Sequence, residues 1–163
     1  MTNYFSRLQA QELALAKKIF EVSHDVALTG SQTTYFQIKT VTTAPMILHL
    51  EVSSSDQPCK LTVLENPTVT LGTTAITPYN MYRLSTNQAV TLFYSNPTSI
   101  SGGTAINTHI ITAGKGGSAV SAESGVWILK KNTSYVLKVE QLSNQATTIA
   151  FNIVFAEEYG SAP

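Results

Sequence analysis

Residues 46–53 have the sequence MILHLEVS, in which apolar and polar side chains alternate along most of the stretch. Successive side chains of a β-strand point to opposite faces, so this period of two predicts a strand with one buried face. The same period recurs at 36–40, 61–63, 90–94, 126–128, 135–139 and 149–155, and more weakly at 73–77 and 106–112. About nine short strands separated by Gly, Pro and Asn predict an antiparallel sandwich or barrel, and not βαβ units.

Part of the chain is repeated at an offset of 30 positions. Residues 66–68 (Asn-Pro-Thr) recur as 96–98, and residues 74–76 (Thr-Ala-Ile) recur as 104–106. Pro has no N–H to donate to a sheet and favours an extended residue before it, so both copies predict the end of a strand. Two copies are too few for a solenoid, but they suit a double Greek key with an approximate two-fold axis.

The first segment has a different pattern. Residues 4–22 contain no Gly or Pro, and their apolar side chains fall near one face at helical spacing. We predict an amphipathic helix there and a linker over 23–33, which divides the chain into a helix and linker (1–30) and a β domain (31–163). Leu8, Leu15 and Ile19 are the candidate partner contacts of this helix. The alternative is that the helix packs on its own sandwich.

Composition limits the classes of partner. A chain of 163 residues is long enough for one domain that folds without disulfides, which agrees with its single Cys59. The formal net charge is zero and only 12% of residues are charged, so we expect no nucleic-acid partner. No apolar stretch approaches the roughly 18 residues of a membrane span, and no signal peptide is recognisable. We therefore expect no membrane partner.

The sequence has no pattern that predicts catalysis. His24, His49 and His109 are far apart and lack the paired spacing of metal ligands. Residues 23–25 (Ser-His-Asp) are chain neighbours at the predicted helix end, where helix capping explains them. The Gly-rich stretch 113–118 does not match a phosphate-binding loop. We predict no catalytic residues, no metal site and no cofactor, and hence a binding protein that is not an enzyme.

Four stretches resemble one known family. They are residues 61–70 (LTVLENPTVT), 72–73 (GT), 79–83 (YNMYR) and 128–139 (ILKKNTSYVLKV). They resemble the capsid decoration, or cement, proteins of tailed phages, over roughly residues 36–155, although that family often has Pro where Lys131 stands. The resemblance implies a mainly β, antiparallel jelly-roll sandwich of about eight or nine strands.

The resemblance also implies a role. A decoration protein is made in the host cytoplasm, binds the major capsid protein on the outer surface of the capsid and stabilises the virion. Trimers suit the three-fold sites of a capsid, so we expect a homotrimer.

A carbohydrate-binding, lectin-like module is the alternative function. Jelly rolls can bind sugars on exposed aromatic side chains, and Trp127, Tyr79, Tyr82 and Tyr94 are available. Core packing is the competing explanation for these aromatic residues.

Overall fold

The computed structural model describes residues 18–70, 74–112 and 127–157, which form strands and no helix. In chain order the strands are β1 (Ile19–Leu28), β2 (Thr33–Lys39), β3 (Met46–Ser54), β4 (Cys59–Glu65), β5 (Thr68–Thr70), β6 (Thr74–Ile76), β7 (Tyr79–Asn80), β8 (Leu92–Ser95), β9 (Thr98–Ser101), β10 (Thr104–Ile111), β11 (Trp127–Ile128), β12 (Ser134–Gln141) and β13 (Thr147–Ala156).

These strands form a five-stranded sheet (β11-β3-β13-β1-β7), a six-stranded sheet (β10-β4-β12-β2-β8-β6) and a two-stranded sheet (β5-β9). Every pairing among the described strands is antiparallel. The prediction of a mainly β, antiparallel, sandwich-like fold is confirmed for the described residues, which are all-β.

Eight of the strands pair in a nested order. β1 pairs with β13, β2 with β12, β3 with β11 and β4 with β10, so the first half of the chain runs back along the second half. Along each half, successive members of this set alternate between the five-stranded and the six-stranded sheet. The chain therefore forms one long antiparallel hairpin, rolled up into two layers.

Five phenylalanines join the two layers. Phe36 of β2 stacks on Phe151 of β13 with ring centroids 5.1 Å apart, and Phe93 of β8 lies 5.1 Å from Phe155 of β13. Phe20 of β1 stacks on Phe155 at 5.5 Å within the five-stranded sheet. All five rings are buried. Because β2 and β8 belong to one sheet and β13 to the other, these contacts fix how the sheets pack.

The predicted helix and linker are wrong where the structure describes them. Residues 19–22, assigned to the helix, and 23–28, assigned to the linker, form β1, which pairs with β13 over all ten of its residues. The physical reason is a period of two: Phe20 and Val22 are buried, whereas Glu21 and Ser23 point away from the core. β1 is an inner strand of the sandwich. Residues 1–17 lie outside the described residues.

β5 and β9 form the separate two-stranded sheet, and we call this pair the strap. We infer that it crosses the outer face of the six-stranded sheet. In that sheet, β8 and β10 are four strand spacings apart, about 19 Å. Residues 96–103 connect β8 to β10 across this distance. Because the core occupies the inner face of the sheet, this connection has to cross the outer face. Val136 and Gln37 point away from the core yet are only 0% and 1% exposed. We infer that the strap covers them.

The sequence repeat has a physical counterpart in this sheet. Glu65 of β4 pairs with Thr104 of β10, and Ser95 of β8 pairs with Thr74 of β6. The two pairs are equivalent under the offset of 30, because Glu65 corresponds to Ser95 and Thr104 corresponds to Thr74. Asn66 and Asn96, which follow β4 and β8, both have a positive φ, 53° and 49°. The repeat therefore relates the two sides of the six-stranded sheet and its strap, and not the two halves of the whole sandwich.

Gly103 is where the strap rejoins β10, and its replacement by Ala is expected to destabilise the protein by about 1–3 kcal/mol. Its φ is +84°, and an added Cβ would lie 3.0 Å from the backbone of Pro67. Gly102→Ala is the matched control, because its φ is +65° but nothing lies within 4 Å of its Cβ position. Urea unfolding measures both variants. Equal losses of stability would contradict the clash with Pro67.

Candidate functional site

Of the three predicted partner contacts, the structure describes Ile19 alone. Leu8 and Leu15 lie outside the described residues. Ile19 is the first residue of β1, pairs with Ala156 and is 3% exposed. Ile19 lies on the face of β1 opposite Phe20 and Val22 and is not part of the core between the sheets. Its contact with a partner stays a prediction.

The aromatic residues of the carbohydrate hypothesis lie at opposite edges of the sandwich. Trp127 is in β11, at one edge of the five-stranded sheet, and packs against the core. Tyr79 is in β7, at the other edge, and Tyr82 follows in the connection to β8. Tyr94 of β8 lines an open depression at this second edge. The structure therefore separates Trp127 from the three tyrosines.

The residues that could have formed a catalytic or metal site are dispersed over the described part of the chain. No group of three His, Cys, Asp or Glu side chains that could hold a metal ion occurs there. Ser23, His24 and Asp25 lie in β1, not at a helix end, and His24 lies on the face of β1 opposite the other two. Cys59 is buried, and burial raises the pKa of its thiol above its usual range. The described residues also include no helix long and apolar enough to cross a membrane.

The depression at the second edge has a volume of about 620 Å³ and lies between β6, β8 and the connection from β7 to β8. Its lining combines uncharged polar side chains, such as Thr77, Ser85, Asn87 and Gln88, with apolar ones, such as Ile76, Leu92 and Phe93. Asn80 orders the connection, because its Oδ1 accepts from the N–H of Tyr82 at 2.9 Å and its Nδ2 donates to the carbonyl of Asn87.

A buried carboxylate holds the floor of the depression. Glu157 is 0% exposed, and its Oε2 and Oε1 accept the backbone N–H groups of Val90 at 2.8 Å and Thr91 at 2.6 Å. Charge-assisted hydrogen bonds of this kind are stronger than neutral ones. Thr91 lines the depression, and its buried hydroxyl has no hydrogen-bond partner among the described residues. Glu157 thus fixes the backbone from which this wall is built.

Arg83 is held in place at the same depression. Its guanidinium carbon lies 5.3 Å from the centroid of the Tyr79 ring, within the range of a cation–π contact. A hydrogen bond to Glu21 raises the pKa of the Tyr79 hydroxyl and fixes the ring. Glu21 Oε1 also accepts from Asn152 Nδ2 at 3.2 Å. Glu21 and Asn152 of the five-stranded sheet thereby support Tyr79, which contacts Arg83 at the rim of the depression.

A second polar cluster lies near Trp127, at the first edge. Glu65 accepts from Lys130 Nζ at 2.6 Å and from the Tyr135 hydroxyl at 3.2 Å. The hydrogen bond from Lys130 lowers the pKa of Glu65, while burial raises the pKa of Tyr135. The Tyr135 hydroxyl also accepts from the backbone N–H of Lys130 at 2.9 Å. Through these hydrogen bonds the polar groups of the cluster are partners of one another, and β4 is connected to the turn before β12.

Exposed apolar side chains are concentrated at both edges. At the first edge are Ile106 and Ile110 of β10 and Ile128 of β11, which is 73% exposed. At the second are Tyr79, Met81, Leu92 and Leu84, which is 86% exposed. Large apolar side chains in water favour contact with another surface, and both edges offer such contact.

No model of a known protein family matches the sequence, and no curated protein matches it significantly. The fold and the site thus define an all-β sandwich with an ordered polar depression at one edge.

Glu157 and Arg83 are the functional candidates that sequence reasoning missed. Glu157 stands beside Glu158, and such a pair near a chain end is typical of a solvated tail. Arg83 ends the stretch 79–83, which indicated a family resemblance but no site. A signal for Glu157 was present, since it directly continues the alternating stretch that ends at Phe155.

Proposed function

We propose that the chain is a jelly-roll decoration protein, which binds the outer surface of a tailed-phage capsid and stabilises it. The nested pairing of eight strands carries this proposal. A hairpin of eight strands rolled into two sheets is the double Greek key arrangement, which is found in viral capsid and lectin domains. The resemblance of residues 61–70 and 128–139 to decoration proteins favours the capsid among these roles.

The surface suits a protein partner. A net charge of zero avoids repulsion from a capsid of either sign, and the two apolar edges offer area to bury. The partners in this proposal are the major capsid protein and other copies of the chain. A trimer would match the symmetry of a capsid three-fold site.

Stabilisation follows from linkage. A protein that binds only the assembled shell shifts the equilibrium towards that shell by RT ln(1 + [L]/Kd). A decoration protein of this kind needs no catalytic group. It needs a stable scaffold and contacts that span neighbouring capsid subunits.

The test uses the full chain, because removing residues 1–30 would remove β1. Leu8→Ser/Leu15→Ser is expected to weaken binding to expanded, undecorated capsids at least tenfold, about 1.4 kcal/mol, if these side chains anchor the protein. Gln9→Ser/Gln11→Ser is the matched control in the same segment and is expected to bind like the wild type. Co-sedimentation measures binding, and the melting temperature of the shell measures stabilisation.

Two outcomes would count against these claims separately. Unchanged binding of the Leu8/Leu15 variant would remove the anchoring role of these leucines. Failure of the wild-type protein to bind the capsid exterior of the phage that encodes it would overturn the proposed function itself.

A further inference from the structure

The depression between β6, β8 and the β7–β8 connection has the properties of a small-molecule site. Its volume of about 620 Å³ lies within the roughly 300–1,000 Å³ typical of ligand pockets. Its floor is fixed by Glu157, and its outer wall by the hydrogen bonds of Asn80. A cavity whose backbone is already ordered loses less conformational entropy when a ligand binds.

Arg83 gives this site its charge. It is the one charged side chain among the described residues that line the depression, and no acidic side chain lines it. The nearby Glu157 carboxylate is fully buried and faces the backbone N–H groups of Val90 and Thr91. The site therefore favours a ligand that carries one negative charge.

The geometry of Arg83 favours a carboxylate. A guanidinium presents a planar fork of donors that matches the two oxygens of a carboxylate. The Tyr79 ring contacts this group, and Glu21 holds Tyr79 in turn. Arg83 is exposed, so its guanidinium is accessible to a ligand, and its contact with Tyr79 restricts the side chain before a ligand binds.

The rest of the lining favours a ligand rich in hydroxyl groups. Thr77, Ser85 and Thr86 offer hydroxyl groups, which both donate and accept hydrogen bonds. Tyr94, which is half-buried and also lines the depression, carries an aromatic ring of the kind on which a pyranose can pack. A phosphate ligand would instead favour several cations, and only Arg83 is present.

We propose that this depression is a binding site for an acidic saccharide, a sugar that bears a carboxylate such as a uronic or sialic acid. Arg83 binds the carboxylate, Tyr94 packs against the sugar ring, and the polar wall binds the hydroxyls. This saccharide site goes beyond the proposed capsid role and does not depend on it. It would give the sandwich a second partner at its second edge.

Titration calorimetry of the full-length protein with glucuronic acid, N-acetylneuraminic acid and glucose tests the site. At least one acid is expected to bind, and glucose at least tenfold more weakly. Arg83→Ala is expected to raise the Kd for the acid at least tenfold, and Tyr94→Ala to raise it several-fold. Lys131→Ala, which removes an exposed positive charge outside the depression, is the matched control and is expected to change nothing.

A melting curve for each variant separates loss of binding from loss of folding. Arg83→Lys gives a second check, because it keeps the charge but loses the planar fork, and is expected to bind more weakly than the wild type. The proposal is overturned if neither acid binds, if glucose binds as tightly as the acid, or if Lys131→Ala weakens binding as much as Arg83→Ala.

Discussion

Replacing Phe36 by Ala is expected to lower the free energy of unfolding by about 3–5 kcal/mol, the range typical of a buried Phe. The ring is 0% exposed and contacts rings from both sheets, Phe151 at 5.1 Å and Phe93 at 5.9 Å. The substitution removes the aromatic contacts and leaves a cavity where the sheets meet, which the surrounding strands can fill only in part. In a protein of this size the loss corresponds to a fall in melting temperature of roughly 6–20 °C.

Two further variants locate the cause. Phe36→Leu keeps an apolar side chain in the cavity and is expected to lose less than half as much stability. Leu92→Ala removes a partly exposed side chain from neighbouring β8 and is expected to cost under about 1 kcal/mol. Calorimetry and urea unfolding measure all three variants. A Phe36→Ala protein as stable as the Leu92→Ala protein would contradict the packing of the two sheets through these rings.

The strands of the core could be predicted from the sequence because each of them has one buried face and one face towards solvent. At β13, every second residue from Ile149 to Phe155 is a large apolar one, and these four residues (Ile149, Phe151, Ile153 and Phe155) are buried in the structure. The repeat also indicated where two strands end, since Asn-Pro follows both β4 and β8. Local alternation and proline geometry act over a few residues, so one sequence is enough to show them.

β1 could not be assigned in the same way. The spacing of Leu15, Ile19 and Val22 fits a helix, while Phe20 and Val22 fit a strand equally well. The choice between them is made by β13, which provides ten partners for β1 from more than 100 residues away in the chain. Such a tertiary effect overrides local propensity, and nothing in residues 4–22 themselves reveals it.

The candidate site is still harder to predict, because its residues come from distant parts of the chain. Arg83 depends on Tyr79 nearby, but also on Glu21 of β1 and Asn152 of β13. The depression itself lies where β6 pairs with β8 at the edge of the sheet. Only the pairing of the strands places these side chains together, so a residue pattern along the chain does not predict the site.

Glu157 provides the second large effect, and Glu157→Ala is expected to destabilise the protein by about 2–5 kcal/mol. Its carboxylate accepts two adjacent backbone N–H groups, and removing it leaves the N–H groups of Val90 and Thr91 without an acceptor. Each unsatisfied buried donor costs about 1–3 kcal/mol. Urea unfolding measures the total loss, and amide hydrogen exchange at Val90 and Thr91 shows where it originates.

Glu157→Gln separates the acceptor role from simple packing, because it keeps the shape of the side chain. Its amide offers one oxygen where the carboxylate offers two, so one N–H group then faces an NH₂ group. We expect a loss of about 1.5–3 kcal/mol and faster exchange at one of the two amides. Asp25→Asn, which neutralises an exposed acid on β1, is the matched control and is expected to leave both unchanged. Because Thr91 lines the floor of the depression, Glu157→Gln is also expected to weaken saccharide binding. If the variant unfolded like the wild type, with both amides still protected, the carboxylate would not be what orders this floor.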